Sequence, residues 1–100
     1  MLTGKQKRQL RGMANKLKAL FQVGKDGVSY NMFNTISDAL EAHELVKISV
    51  LKNCSTDVRE VAFDIASNTN SEIVQIIGRT IIVYRESETN KKIELLWDIY

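Results

Sequence analysis

Three stretches whose apolar residues recur at helical spacing alternate with four short runs rich in β-branched residues, and this alternation limits the folds open to a 100-residue chain. It predicts the order helix, strand, helix, strand, helix, strand, strand. Strands joined through helices imply right-handed crossovers and parallel pairing, whereas strands joined directly imply an antiparallel hairpin. We therefore predict an α/β fold, a compact single domain in which a mixed four-stranded sheet packs with helices.

Capping residues mark the predicted helix starts. Thr3 and Gln6 have the spacing of a capping box, and Ser29 is the expected N-cap of the second helix, which runs to about residue 44. Asp57 is expected to cap the third helix. The apolar positions expected to face the core are Leu10, Met13, Ala14, Leu17 and Phe21 in the first helix, Met32, Phe33, Ile36, Ala39 and Leu40 in the second, and Val58, Val61, Ala62, Ile65 and Ala66 in the third.

The strands are predicted at residues 20–23, 45–52, 72–77 and 80–85. In the second of them, Val46, Ile48 and Val50 alternate with Lys47, which predicts one apolar and one polar side. The last two are joined by residues 78–79, Gly then Arg, and a two-residue connection with glycine first is typical of a type II′ hairpin.

The charge is distributed unevenly along the chain. The first 25 residues carry seven cations and no acid, so the other 75 hold the net −5 that brings the total to +2. These cations are Lys5, Lys7, Arg8, Arg11, Lys16, Lys18 and Lys25. On a helical wheel Arg8 lies opposite the apolar stripe, and the others up to Lys18 fall on its two flanks. Because solvated helices usually mix charge signs, an all-cationic helix surface indicates a polyanion, either nucleic acid or an anionic membrane.

The residues Gly24-Lys25-Asp26-Gly27 lie between a predicted strand and a predicted helix start. The first amides of a helix lack intrahelical partners and its dipole is positive there, so phosphate is attracted. Glycines let the backbone approach a ligand closely, and Lys25 adds a cation that must outweigh Asp26. The segment is too short for a Walker A loop and lacks its GK[ST] ending, so nucleotide hydrolysis is not predicted.

Several classes of protein are excluded or disfavoured. No apolar run approaches the roughly 20 residues of a membrane span, and residues 1–20 lack the apolar core of a signal peptide. The single cysteine, Cys54, excludes a disulfide framework and a multi-cysteine zinc site, which favours a cytoplasmic location. His43 is expected to pack beside Leu40 or to cap its helix. No catalytic residue, metal site or cofactor is predicted.

The tail from Glu86 onwards is apolar but ambiguous. It fits a strand through Ile93, Leu95, Trp97 and Ile99, or a helix through Ile93, Leu96, Trp97 and Tyr100. We expect residues 1–85 to form the domain and residues 86–100 a tail. This tail either packs back on the domain or contacts a second copy or a partner.

Three blocks resemble the CRM, or YhbY-like, RNA-binding domain: LKALFQVGKDG at 17–27, ALEAHELVKI at 39–48 and VQIIGRTIIVYR at 74–85. The resemblance spans most of residues 2–85. It implies a fold similar to the C-terminal domain of bacterial translation initiation factor three. It also implies a small stand-alone bacterial protein that binds ribosomal RNA in precursors of the large subunit and assists their assembly. The family's GxxG loop falls on residues 24–27 and its basic first helix on residues 5–18.

We therefore predict a non-enzymatic RNA-binding protein whose partner is RNA and neither a membrane nor a small-molecule substrate. The residues expected to bind RNA are Lys5, Arg8, Arg11, Lys18, Gly24, Lys25, Asp26 and Gly27, followed by the second-tier candidates Lys47, Arg79 and Arg85. DNA binding is one alternative, although a clear recognition helix is lacking. A protein-interaction adaptor that uses the apolar tail is the other.

Overall fold

Residues 2–96, the part of the chain that the computed structural model describes, form three helices and four strands in the predicted order. The helices are α1 (Gly4–Ala14), α2 (Tyr30–His43) and α3 (Val58–Thr69), and the strands are β1 (Phe21–Val23), β2 (Leu45–Val50), β3 (Glu72–Ile77) and β4 (Thr80–Tyr84). The predicted fold class is thereby confirmed.

The four strands form one mixed sheet in the order β1-β2-β4-β3. β1 is parallel to β2 because α2 carries the chain back between them, and the other two pairs are antiparallel. The β3–β4 connection has Gly78 at φ +56°, and Arg79 is not at positive φ, as a type II′ turn requires. This agrees with the predicted hairpin.

The sheet is covered on both faces, so the chain has two apolar cores. The alternation in β2 directs Val46, Ile48 and Val50 toward α2 and α3, as predicted, and Leu45 toward the opposite face. The core on that opposite face is formed by Leu2, Leu10, Ala14, Leu45, Val74, Ile82, Tyr84 and Ile93. Helix α1 therefore forms a separate layer, held on the sheet by its own contacts.

The tail, here residues 86–96, packs against this second core without forming a helix or a strand. Ile93 is buried there, and Leu95 is partly buried against it. Of the two alternatives for the tail, packing on the domain is the one seen for these residues. The predicted positions Trp97, Ile99 and Tyr100 lie outside the described residues.

The end of α1 differs from the prediction. The helix stops at Ala14, and Leu17 and Met13 are 38% and 39% exposed although both were expected in the core. The backbone N–H of Leu20 donates to the carbonyl of Lys47 at 2.9 Å, which places the chain beside β2 and leads into β1. Because this pairing requires extended backbone, the helical conformation cannot continue to Leu20. Lys18 therefore lies in the connection at residues 15–20.

The caps account for the other helix boundaries. The capping box of α1 is confirmed: Gln6 N–H donates to Thr3 Oγ1 at 3.1 Å, and Thr3 N–H donates to Gln6 Oε1 at 3.0 Å. Ser29 Oγ accepts the N–H of Met32 at 3.2 Å and begins α2. Asp57 occupies the N-cap position of α3, but its side chain makes no capping bond.

Of the two alternatives for His43, the structure fits the position at the helix end and not packing in the core. His43 is the last residue of α2, as a capping role requires, but its side chain is exposed and not packed in the core. Glu44 N–H still makes the last helical bond, to the Leu40 carbonyl at 2.8 Å, and the helix ends there because Glu44 adopts φ +66°.

Candidate nucleic-acid interface

Helix α1 presents four cations without acidic partners. We call Lys5, Lys7, Arg8 and Arg11 the α1 cations. Lys5 and Arg8 are exposed, and Lys7 and Arg11 are half-buried. Within residues 2–96 the ion pairs at 4.0 Å or less are Arg85–Glu41 and Lys91–Glu86, and neither includes an α1 cation. These four charges are therefore available to an external anion.

The orientation of α1 leaves its cations facing outward. Leu10 and Ala14 point to the sheet. Gln6 and Gln9 face the tail, because their amides donate to the carbonyls of Leu96 and Glu94, both at 2.9 Å. At roughly 100° per residue, the flank opposite these glutamines carries Lys7 and Arg11, and Arg8 points away from the sheet. The outward side of the helix and the flank opposite the tail are thus cationic.

The charges of α1 are unfavourable for the helix itself. Its first turn contains Lys5 and Lys7 and no acid, although the positive end of a helix dipole favours carboxylates. The start of α1 is held instead by the capping box and by Glu72, whose carboxylate accepts the N–H of Leu2 at 2.9 and 3.2 Å. Among the α1 cations only Arg11, in the last turn, lies where the dipole favours a positive charge, so the other three gain nothing from it.

The face of the sheet on which α1 packs is open at one end. Gln22, Ser49, Thr80 and Ile77 form a row across the four strands, as the strand registers require. Ile77 is 54% exposed, and none of these residues belongs to the core under α1. The tail lies next to Glu44 at the other end of the sheet. The flank of α1 opposite the tail therefore faces this open polar row.

The turn at residues 24–27, which we call the glycine turn, lies at the open end of the sheet. The N–H of Gly27 donates to the carbonyl of Gly24 at 3.0 Å, and Gly27 has φ +72°, a conformation that favours glycine. Gly24 does not have a positive φ, and an added Cβ there would lie 3.8 Å from Leu51 Cδ1, an ordinary contact. The backbone thus favours a glycine at 27 but not at 24, where the missing side chain leaves room for a ligand.

Arg79 and Lys25 flank the same end of the sheet. Lys25 and Asp26 are exposed at the tip of the glycine turn. Arg79 Nη1 donates to the carbonyl of Leu51 at 3.3 Å, and Leu51 N–H donates to the carbonyl of Val23, next to Gly24, at 2.8 Å. The hairpin and the glycine turn are therefore neighbours. An exposed cation in the adjoining loop, Lys52, was not singled out by the sequence pattern, because it was assigned to the end of a strand.

Lys47 and Lys18 lie together where the connection after α1 crosses β2. Lys47 Nζ donates to the carbonyl of Leu17 at 3.2 Å, and Lys18 is the next residue. Lys47 is half-buried and faces the α1 side of the sheet, whereas Lys18 is exposed. The structure thus places both on the same side of the sheet as α1.

Arg85 is separated from the other predicted residues and has partners within the fold. It lies just beyond the end of β4 that is opposite the glycine turn. Its guanidinium donates to Ser37 Oγ at 2.9 Å and to the carbonyls of Ser37 and Thr69, both at 2.8 Å. These bonds join α2 to the end of α3, so three of the five N–H donors of Arg85 serve the fold.

The carboxylates of Glu41 and Glu44 hold the tail in place. They therefore also determine which flank of α1 the tail covers. Hydrogen bonds from the hydroxyls of Ser87 and Thr89, together with nearby backbone N–H groups, lower the pKa of Glu41 to about 2. Burial by itself raises the pKa of Glu44, but N–H groups of the tail outweigh burial and leave the pKa below its ordinary value. Both carboxylates are therefore charged at neutral pH. The sequence held no local signal for these contacts.

None of the described helices has both the length and the apolar content needed to cross a bilayer. The candidate site thus comprises a cationic helix, an open end of the sheet and a glycine turn. Such an arrangement suits a sugar-phosphate backbone better than a small molecule.

Comparison with known proteins agrees with this description. The chain is 55% identical over 95 residues to the "Probable RNA-binding protein YqeI" of Bacillus subtilis, covering 95% of this chain and 99% of that protein. It is 32% identical over 90 residues to the "RNA-binding protein" of Haemophilus influenzae, covering 90% and 91% of the two chains. The solution structure of the hypothetical protein SAV1595 from Staphylococcus aureus matches with a TM-score of 0.80 and 50% identity, over 96% of this chain and 100% of that one.

The profile of the CRS1 / YhbY (CRM) domain matches residues 2–85, which include every helix and strand described above. The match extends from the residue before the α1 cap to the end of the hairpin, so it contains the α1 cations and the glycine turn. The chain therefore belongs to the CRS1 / YhbY (CRM) domain family.

Proposed function

We propose that this protein binds RNA through the α1 cations and the glycine turn. The observation that carries the proposal is that the four α1 cations have no carboxylate partner within residues 2–96. Each of them also lies on helix surface that the fold does not need. The names of the relatives, which are those of RNA-binding proteins, support the same partner. An unpaired cluster of this kind is the expected electrostatic footprint of a phosphate backbone.

The contacts divide into two groups. Lys5, Arg8 and Arg11 hold phosphates along α1. The backbone at Gly24 lies close to a further stretch of the RNA, and Lys25 lies beside it. Contacts of this type fix the position of the RNA but do not read its sequence. Specificity then depends on RNA shape or on bases splayed out from a single-stranded segment.

We further propose that the RNA is ribosomal RNA in precursors of the large subunit and that the protein assists assembly in the cytoplasm without catalysing a reaction. The resemblance to the YhbY-like domain supports this more specific proposal. The interface described above does not include a deep site in which an acid, a base and a nucleophile converge. We therefore propose that the protein's role is to hold RNA in a productive shape.

Crosslinking in cells, followed by sequencing of the attached RNA and sedimentation of ribosomal particles, tests this proposal. We expect crosslinks to large-subunit RNA and co-sedimentation with precursor particles. The double variant Arg8→Glu/Lys25→Glu should lose both. Arg59→Glu is the matched control, because Arg59 is an exposed cation on α3, on the other face of the sheet. Crosslinks mainly to other RNAs would contradict the ribosomal assignment, and loss of crosslinks in both variants would contradict the proposed surface.

A further inference from the structure

An apolar groove of about 430 Å³ lies beside the C-terminal end of α1. Its floor contains Leu45 and Ile93, both buried, and its walls contain Met13, Leu17 and Leu20, which are 39%, 38% and 54% exposed. The volume is within the range of roughly 300–1,000 Å³ found for ligand pockets. Three exposed apolar side chains around one groove are costly to leave in water, which indicates an occupant.

The rim of the groove is cationic. Lys18, Lys47 and Lys92 line it, and the other residues that line it within the described chain include no Asp or Glu. Lys47 is held in place by its bond to the Leu17 carbonyl at 3.2 Å, so its charge is fixed at the edge of the apolar surface. A planar, weakly polar ring that carries a phosphate matches this combination of walls and rim. An unpaired nucleotide has this chemistry.

The described tail borders the groove but does not fill it. From Ile93 the chain runs along α1 toward its start: Gln9 donates to the carbonyl of Glu94 at 2.9 Å and accepts from the N–H of Leu96 at 2.8 Å. Gln6, one turn earlier in the helix, then bonds the Leu96 carbonyl at 2.9 Å. The tail is therefore directed away from Met13 and the mouth of the groove.

The groove is also continuous with the proposed RNA surface. Leu20 directly precedes β1, and Gly24 directly follows it. At about 3.3 Å per residue of strand, the wall of the groove lies about 13 Å from the glycine turn. One RNA strand can thus reach both.

We propose that this groove receives one unstacked nucleobase of the bound RNA, whose neighbouring phosphates contact Lys18 and Lys92. The inference rests on the proposed function and adds to it a subsite that distinguishes single-stranded from fully paired RNA. An apolar pocket can receive an unpaired base whatever the sequence, whereas paired bases are unavailable to it.

Fluorescence anisotropy with a labelled oligouridylate of about 12 nucleotides and an RNA duplex of the same length tests the inference. Leu20→Gln changes an exposed wall residue without altering charge. We expect about a tenfold loss of affinity for the single strand, with an unchanged salt slope and unchanged duplex binding. Lys92→Gln should lower the salt slope for the single strand by about 0.7. Phe63→Gln is the matched control, because Phe63 is 67% exposed on α3, and it should bind like the unmodified protein.

The outcomes separate this inference from the proposed function. Failure of the unmodified protein to bind either RNA overturns the proposed function. Equal single-strand affinity of the unmodified protein and Leu20→Gln, with RNA binding intact, overturns only the groove. The groove assignment also fails if Leu20→Gln weakens binding to phosphatidylglycerol vesicles but not to oligouridylate. It fails as well if deletion of residues 97–100 and Leu20→Gln lower the free energy of unfolding non-additively while neither changes single-strand affinity, since the chain's own end would then be the occupant.

Discussion

The α1 cations and the junction between α2, β4 and the tail use charged side chains in opposite ways. At the junction, the buried carboxylate of Glu44 accepts three backbone N–H groups, from Ser87 and Lys92 at 2.7 Å and from Ile93 at 2.6 Å. On α1, no cation has a carboxylate partner among the described residues. The difference shows that the charge of Glu44 serves the fold, whereas the α1 cations have no such structural partner.

The energetic reason for the difference is burial. A charged group removed from water is costly unless hydrogen bonds or an opposite charge compensate it. Glu44 also holds a positive φ of +66°, which costs a non-glycine residue on the order of 1 kcal/mol. The three N–H donors offset both costs. The α1 cations stay hydrated, and their main effect on α1 is mutual repulsion at spacings of three and four residues.

The largest loss of stability is expected for Glu44→Gln. The amide keeps the shape of the side chain but places an N–H₂ group against backbone donors, so at least one buried N–H loses its acceptor. We expect the free energy of unfolding in urea to fall by about 3 kcal/mol. Glu88→Gln, at an exposed position on the same tail, should change it by less than roughly 0.5 kcal/mol. Equal stability of the two variants would show that the junction does not hold the tail.

The pH dependence of stability gives a second test of the carboxylates at the junction. The pKa of Glu41 is lowered from 4.5 to about 2 by its hydrogen bonds to Ser87, Thr89 and Glu88. A carboxyl whose folded pKa lies below its unfolded value stabilises the fold above the unfolded pKa, and this contribution is lost as the pH falls from about 4.5 toward about 2. The pKa of Glu44 is lowered as well, so its contribution has the same sign.

We therefore expect the urea midpoint of the unmodified protein to fall across this acidic range and that of Glu41→Gln to fall less. Glu60→Gln, at an exposed position on α3, should follow the unmodified protein. Parallel curves for Glu41→Gln and the unmodified protein would contradict the assigned hydrogen bonds.

The smallest effect on stability is expected on α1. Lys5→Gln/Arg8→Gln removes two charges that have no carboxylate partner in the described structure and relieves the repulsion between them. The free energy of unfolding should stay within roughly 0.5 kcal/mol of its original value or rise slightly. A loss of more than about 1 kcal/mol would show that these cations serve the fold after all.

Features set by neighbouring residues were predictable from the sequence. The capping box of Thr3 and Gln6, the N-cap Ser29 and the glycine-first hairpin at Gly78 all depend on residues a few positions apart. The cationic character of the first helix was equally visible, because it requires only the periodicity of one helix.

Features set by distant residues were not predictable. The end of α1 depends on the pairing of Leu20 with Lys47, which the helical pattern does not contain. Arg85 resembled a free cation, but its partners Ser37 and Thr69 lie 48 and 16 residues away. Lys92 borders the groove only because the tail folds back on the second core. In each case tertiary contacts decide between a structural and a ligand-binding role.

The salt dependence of RNA binding tests the central claim most directly. For the unmodified protein and for Arg8→Gln/Arg11→Gln, the logarithm of the association constant is measured against the logarithm of salt concentration, with duplex and single-stranded RNA. If α1 contacts phosphates, the double variant lowers the magnitude of the slope by between one and two units on every RNA, since each lost contact accounts for about 0.7 to 0.9. The control Arg59→Gln, on the opposite layer, should keep the original slope. An unchanged slope in the double variant, or an equal reduction in the control, would contradict the assignment of α1 as the RNA-binding surface.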